Sequence, residues 1–224
     1  MATPEFIEDI AAVVFDFDGT LAHTKVNFTL MRKQVVAVIM QAGAWDDSLE
    51  DLYILEMIDT AAASLSPAAS DNMLEAAYMA IEEVEMLTCP TASLFPGVAE
   101  CLAQLQNQEI HIGIITRNCR RAVMSVLERF ELPYEVLITR DDIIKVKPDP
   151  AHLLAALESL AVAPENAMMV GDHPTDIQCG LAAGAWTCGV LTDRTTREQH
   201  LQAGAHWVAQ SVAELADLIL YRRD

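Results

Sequence analysis

The sequence predicts an α/β protein: a parallel, Rossmann-like sheet with a small all-helical insert placed just after the first strand. Three observations point there. From Val98 onward, apolar β-branched runs alternate with helical patterns, and strand, helix, strand in succession means right-handed crossovers and a sheet covered on both faces. From Ala22 to Leu94 the periodicity is helical throughout. The first apolar run, Ala11 to Leu21, delivers Asp16 and Asp18 into a glycine turn, and ligands of such sheets bind beyond the carboxyl ends of the strands.

Taken in order, the strands after the first are expected at His111 to Thr116, Tyr134 to Thr139, Asn166 to Asp172, Trp186 to Val190 and, more weakly, His206 to Ala209. Helical spacing of apolar residues runs through Val98 to Gln106, Arg120 to Phe130, Ala151 to Leu160, Asp176 to Ala183, Thr196 to Ala203 and Val212 to Tyr221. Within the insert the same spacing covers Asn27 to Gln41, Ser48 to Ala63 and Ser70 to Leu87, with Asp47 or Ser48 and Ser70 as N-cap candidates. Tyr53, Met57, Met73, Tyr78 and Met86 read as the insert's core. The domain boundaries that follow are 1–21 with 95–224 for the sheet and 22–94 for the insert.

Composition narrows the function classes. A chain of 224 residues with 52% hydrophobic content can bury a sizeable core. The net charge of −19 argues against binding nucleic acid by neutralising phosphates, and against an anionic lipid surface. No apolar run approaches the ~20 residues of a membrane span, and the first residues lack a basic segment followed by an apolar one. A cytoplasmic protein is expected. The five cysteines are scattered with no Cys-x-x-Cys pair, so free, mostly buried thiols are expected rather than disulfides or a zinc site.

Chemistry-bearing residues gather at the strand ends. Asp16 and Asp18, one residue apart, share a face of an extended chain, and two carboxylates so close resist joint ionisation unless a metal or base offsets them. The second predicted strand ends in Thr116-Arg117-Asn118, where a hydroxyl and backbone N–H groups can hold an anion at a helix start. Lys147 precedes Pro148 in the run Lys145-Val146-Lys147-Pro148-Asp149-Pro150, and a following proline disfavours helix at the lysine. The fourth strand ends in Gly171-Asp172-His173-Pro174-Thr175-Asp176. Asp176 reads as the residue that begins a helix; His173 either faces a leaving group or packs on its loop. Arg194 and Arg197 read as solvated surface.

These four segments in this order resemble the haloacid dehalogenase superfamily, whose pattern is a DxDGT motif, a Ser or Thr after the second strand, a distant Lys and a GDxxxD loop. The resemblance spans nearly the whole chain and implies the superfamily's hydrolase core with the helical C1 cap of the phosphoglycolate phosphatase-like branch. It implies a phosphatase in which Asp16 is the nucleophile that forms an aspartyl-phosphate and Asp18 the general acid and base. Thr116 and Lys147 would hold the transferring phosphoryl oxygens, with Arg117 and Asn118 nearby. Asp172 and Asp176 would complete a Mg²⁺ site with Asp16 and the backbone carbonyl of Asp18. His173 and Pro174 depart from the small polar residues more usual after the first loop aspartate.

The alternatives differ by what each requires. A true dehalogenase lacks a second acid where Asp18 stands. A phosphomutase of the β-phosphoglucomutase type keeps the same core and is separated by assaying isomerisation against phosphate release. A non-catalytic regulatory module would be expected to lose Asp16, Asp18, Lys147 or Asp172, and all are present. The insert carries Lys25, Arg32 and Lys33 against eleven acids, a net of −8. A small phosphorylated metabolite, neutral or hydroxyl-rich beyond its phosphate, is the substrate this charge balance favours, with phosphoglycolate as the competing choice.

Overall fold

A computed structural model describes residues 10–220. The predicted reach of the last helix to Tyr221, and the N-terminal segment read for targeting signals, lie outside them. The strands in chain order are β1 (Ala12–Phe15), β2 (Ala22–His23), β3 (Ser93–Leu94), β4 (His111–Ile115), β5 (Val136–Ile138), β6 (Ala167–Gly171), β7 (Trp186–Val190) and β8 (Trp207–Ala209). The helices are α1 (Phe28–Gln41), α2 (Ile54–Ala63), α3 (Pro67–Thr88), α4 (Val98–Asn107), α5 (Arg120–Leu127), α6 (Ala151–Leu160), α7 (Pro174–Ala183), α8 (Arg197–Gln202) and α9 (Val212–Leu220). The chain divides into two compact units, Lys25–Pro90 and the segments on either side of it.

The larger unit holds a six-stranded sheet in the order β5-β4-β1-β6-β7-β8, parallel throughout. β1 lies at its centre because it is apolar on both faces: every residue from Ala12 to Phe15 is fully buried. Continuous apolar runs are what a strand covered on both sides needs. Val14 stands opposite Gly113 on β4 and Met169 on β6, which puts the ends of the three middle strands level. Leu153, Ala156, Leu157 and Leu160 of α6 pack on this centre with Met169 and Cys179; truncating one such leucine costs about 2–5 kcal/mol. All five cysteines are free and buried. Contrary to the strand-free reading of 22–94, β2 and β3 pair antiparallel, Ala22 opposite Leu94 and His23 opposite Ser93. Each is two residues long, too short to show a period of two in sequence.

The smaller unit is helical. α1 and α3 form its main contact, with Met31, Val35 and Ile39 on one and Met73, Ala77, Ile81 and Val84 on the other. Met57 and Met73 are core as expected, whereas Tyr53 and Tyr78 are exposed and Met86 only half-buried. The expected helix from Ser48 to Ala63 is broken. A single 3₁₀ turn, Asp47–Leu49, is capped by the Asp46 carboxylate, which accepts from Ser48 N at 2.9 Å. The Arg32 guanidinium then donates to the carbonyls of Leu49 at 3.4 Å, of Glu50, and of Leu52 at 2.8 Å. Carbonyls taken by a guanidinium no longer propagate a helix, so α2 starts afresh at Ile54. α3 begins three residues before the expected Ser70 cap, with Pro67 in its first turn after Ser66, a position where proline's missing N–H costs nothing. Among the described residues no helix is long and apolar enough to cross a membrane.

Candidate active site

Three acids and a lysine meet beyond the ends of the sheet's middle strands. Asp16 follows β1 and stays on the ladder, its N–H donating to Val170 O at 2.8 Å. Thr116 follows β4 and donates its N–H to Ile138 O at 3.0 Å. Asp172 follows β6, and Lys147 comes from the loop between β5 and α6. The Lys147 ammonium, 2% exposed, lies 2.5 Å from Asp16 Oδ1 and 2.8 Å from Asp176 Oδ1, and donates to Ile115 O at 3.2 Å. Oxygens of Asp16, Asp172 and Asp176 lie within 4.8 Å of one another. An all-oxygen donor set around a buried point suits a hard divalent cation.

Asp18 is held differently. It accepts at Oδ1 from the Thr24 hydroxyl and at Oδ2 from Asn118 Nδ2, the latter at 3.0 Å. Asn118 N in turn donates to Thr116 Oγ1 at 3.1 Å, so strand end and acid are linked. Asp16 receives a weak contact of 3.4 Å from Thr20. Two glycines make the crowding possible. A Cβ on Gly19, at φ +100°, would lie 2.3 Å from Asp172 Oδ2, and one on Gly171 would lie 2.1 Å from Asp176 Oδ2.

Charge follows from this packing. Burial raises Asp16, with Lys147 opposing, and burial raises Asp18 against the hydrogen bond from Thr24. Asp172 is pushed up to about 8, first by burial and then by Asp16 and Asp176. Burial alone would lower Lys147, but the two carboxylates beside it outweigh that and hold it firmly charged. One ammonium cannot offset this many acids, and a bound cation would complete the balance.

Asp16, Asp172, Asp176 and Lys147 meet in the acid cluster, and Thr116, Asn118 and Asp18 are joined to one another by hydrogen bonds. Arg117 is half-buried, its carbonyl accepting from Arg140 Nη1 at 3.0 Å, and its charge helps burial keep His173 neutral. Asp176 does not begin α7. That helix starts at Pro174 with His173 as its cap: Thr175 N donates to His173 Nδ1 at 3.3 Å and His173 N donates to Asp176 Oδ2 at 3.0 Å. His173 therefore packs on its loop, its imidazole supplying the acceptor at the start of α7. Lys145 is a surface residue, 70% exposed and 3.5 Å from Asp149. Arg194 is exposed as expected, yet its charge reaches Asp18 and Asp172 and favours their ionised forms.

Several contributors escaped the sequence reading. Thr24 lies six residues from the acid it holds. Thr192 and Thr195 reach Asp172 from the loop after β7. His152, on α6, accepts from Lys147 N at 3.2 Å through Nδ1 and meets Ile138 O at 3.1 Å through Nε2. Each is a polar residue inside an apolar pattern or an ordinary loop, and the only signal available was a histidine on the buried face of a helix.

Residues 13–190 match the haloacid dehalogenase-like hydrolase family. The chain belongs to that family. It is 33% identical over 189 residues to a haloacid dehalogenase-like hydrolase domain-containing protein of Arabidopsis thaliana, covering 84% of this chain and 73% of that one. It is 30% identical over 223 residues to the phosphoglycolate phosphatase of Rhodospirillum rubrum (92% and 89%), and 25% identical over 213 residues to the N-acetylmuramic acid 6-phosphate phosphatase of Pseudomonas aeruginosa (92% and 91%). Among solved structures, a haloacid dehalogenase-like hydrolase from Bacteroides fragilis superposes with a TM-score of 0.68 at 23% identity, covering 92% of this chain and 99% of that one. CbbY from Rhodobacter sphaeroides in complex with phosphate superposes with a TM-score of 0.65 at 24% identity (92% and 96%). These likenesses make the α/β hydrolase fold firm, and the named relatives in sequence are phosphatases and hydrolases.

Proposed function

We propose that this hydrolase is a Mg²⁺-dependent phosphatase that cleaves a small phosphomonoester through an aspartyl-phosphate on Asp16. The observation that carries the reading is the unequal treatment of two neighbouring acids. Asp16 sits against the Lys147 ammonium, which offsets its charge as an anionic phosphate approaches. Asp18 has no ammonium partner among its hydrogen bonds, and burial biases it toward the protonated form. Burial raises both acids, so what divides them into nucleophile and acid is the ammonium beside Asp16 and the neutral donors, Thr24 and Asn118, beside Asp18.

In the first half-reaction an Asp16 oxygen attacks phosphorus and the ester bond breaks. Asp18 gives its proton to the departing oxygen, which leaves as an alcohol. In the second, Asp18, now a carboxylate, takes a proton from water as the hydroxyl attacks the same phosphorus, releasing phosphate and restoring the Asp16 carboxylate. Lys147 and the Thr116 hydroxyl and loop N–H groups hold the transferring oxygens, with Arg117 and Asn118 beside them. Asp16, Asp172 and Asp176, with the Asp18 carbonyl, would hold Mg²⁺, which supplies charge neutralisation between phosphate and carboxylate. The helical unit, as the cap, would read the rest of the substrate. Its net charge of −8 over residues 22–94 favours a neutral or hydroxyl-rich group.

The names of the relatives in Rhodospirillum rubrum and Pseudomonas aeruginosa support phosphatase chemistry. The test is Asp16→Asn with a phosphomonoester panel and Mg²⁺. Turnover should fall to below a few per cent while circular dichroism is unchanged, since an amide is a poor nucleophile and has nearly the shape of the carboxylate it replaces. Retained turnover in a folded variant would remove Asp16 as nucleophile, and sugar phosphate isomerisation without phosphate release would make the protein a phosphomutase.

A further inference from the structure

Asp172 is gripped at two points by the turn that follows β7. The Thr192 hydroxyl contacts its Oδ2 at 3.4 Å, and the Thr195 hydroxyl donates to its backbone carbonyl at 2.6 Å. Thr192 and Thr195 themselves pair as an isolated antiparallel bridge, and Arg194 N donates back to Thr192 Oγ1 at 3.2 Å, so the two hydroxyls are fixed relative to one another. Behind Thr195 stands His200 of α8, fully buried, with Nε2 3.1 Å from Thr195 Oγ1. The single Thr195 hydroxyl proton goes to the Asp172 carbonyl at the shorter distance, so His200 Nε2–H is the donor to Thr195. β7 makes room for the imidazole: a Cβ on Gly189 would lie 2.4 Å from His200 Cγ. The start of α8 is locked in turn, with Gln199 Oε1 accepting from Thr196 N at 2.8 Å and Gln199 N donating to Thr196 Oγ1 at 3.3 Å.

We propose that Thr195, backed by His200, is a positioning residue that sets the orientation of Asp172 and thereby the divalent-cation affinity of the site. The inference rests on the metal reading of Asp172 given above. A carboxylate on a loop end can rotate and shift with its backbone, and a ligand whose backbone is pinned loses less freedom when it binds the ion. Thr195 Oγ1 bonds Asp172 O on one side and meets His200 Nε2 on the other, so the effect of this pair passes through Asp172.

Calorimetric titration of the protein with Mg²⁺ alone, without substrate, tests this. Thr195→Val keeps the shape and removes the hydroxyl; His200→Leu removes its donor; Thr195→Ser keeps the hydroxyl. The expectation is that Thr195→Val weakens Mg²⁺ binding by about ten-fold or more, that His200→Leu weakens it in the same direction, and that Thr195→Ser stays within about three-fold of wild type. Turnover at saturating Mg²⁺ should recover most of its wild-type value in Thr195→Val, so the loss appears in the metal requirement rather than in kcat. If Thr195→Val fails to fold, Thr192→Val on the partly exposed turn carries the test, with weaker Mg²⁺ binding expected there too. Unchanged Mg²⁺ affinity in folded Thr195→Val or Thr192→Val overturns the proposal, as does an equal loss in Thr195→Ser. Absence of Mg²⁺ binding by the wild-type protein would instead overturn the metal reading itself, and this inference with it.

Discussion

His152 makes the stability of this hydrolase fall in acid, through the loop that presents Lys147. Burial depresses its protonation first, and the Lys147 charge adds to that, so that its pKa is held at about 4 against the usual 6.5. The geometry gives the reason. Nδ1 accepts the Lys147 backbone N–H, and Nε2 donates to the Ile138 carbonyl, so the neutral ring is satisfied on both sides and a second ring proton would confront an N–H donor. Unfolded, the imidazole takes up a proton near pH 6.5; folded, it refuses one until near pH 4. The unfolded state therefore binds more protons in that window, and stability present above pH 6.5 is lost as pH falls toward 4. A shift of about 2.5 units corresponds to about 3 kcal/mol in full, of which about 2.5 kcal/mol is lost by pH 4.5. Asp172, raised to about 8 by burial and by its acidic neighbours, acts with the opposite sign, because the folded state then holds a proton that the unfolded state releases. Comparing wild type with His152→Gln by urea denaturation at pH 7.5 and at pH 4.5 cancels that contribution. The variant should lose about 2.5 kcal/mol less than wild type between the two conditions. Parallel losses in the two proteins would show that His152 is not held neutral and that the loop's geometry is not what fixes Lys147.

Lys147→Met should abolish turnover and destabilise the metal-free protein by about 3–5 kcal/mol, because Asp16 and Asp176 lose their buried counter-charge; chemical denaturation measures it, and a loss below about 1 kcal/mol would contradict the pairing. Asp172→Ala should weaken Mg²⁺ binding more than Asp176→Ala, since Asp176 already spends one oxygen on Lys147 and the other on His173 N; calorimetry giving the reverse order would exchange their roles. On a substrate panel, neutral sugar or polyol phosphates should match or exceed phosphoglycolate in kcat/KM. A ten-fold advantage for phosphoglycolate, about 1.4 kcal/mol, would contradict the charge argument.

How much of this was legible in sequence depended on whether a residue's role is local. The strands of the sheet and α6 were readable because a strand buried on both faces needs an unbroken apolar run, and Ala12 to Phe15 and Ala167 to Gly171 supply one. Asp16, Asp18 and Asp172 could be picked out because each stands at or just past the end of such a run, whereas Lys147, in the β5–α6 loop, and Asp176, in the first turn of α7, were singled out only by the motif pattern. Thr24, Thr195 and His152 were not. Their meaning lies in a partner brought close only by the fold, as when Thr195 meets an aspartate 23 positions away. The broken helix after Asp46 failed for the same reason, since Arg32, seventeen to twenty positions earlier, claims the carbonyls that a helix would have used. Local propensity at Ser48 to Tyr53 carries no trace of that arginine.

Arg32 also changes how the charge of the helical unit should be counted. Residues 22–94 hold three basic side chains, and any of them alone would supply a carboxylate or second phosphate with a partner. Arg32 is bound to three carbonyls within its own unit, Leu49, Glu50 and Leu52. Withdrawing it to meet a substrate would leave those groups without their donor, at about 1–3 kcal/mol for each that stays buried. Lys25 and Lys33, both exposed, are then the remaining cations of that unit, against eleven acids. An exposed ammonium contributes about 1 kcal/mol or less to an ion pair, well short of what an anionic group gives up in leaving water. On the proposed reading of the helical unit as the cap, this balance of charge favours a substrate whose only strong anion is the phosphate itself, with Lys147 as the buried cation it would meet.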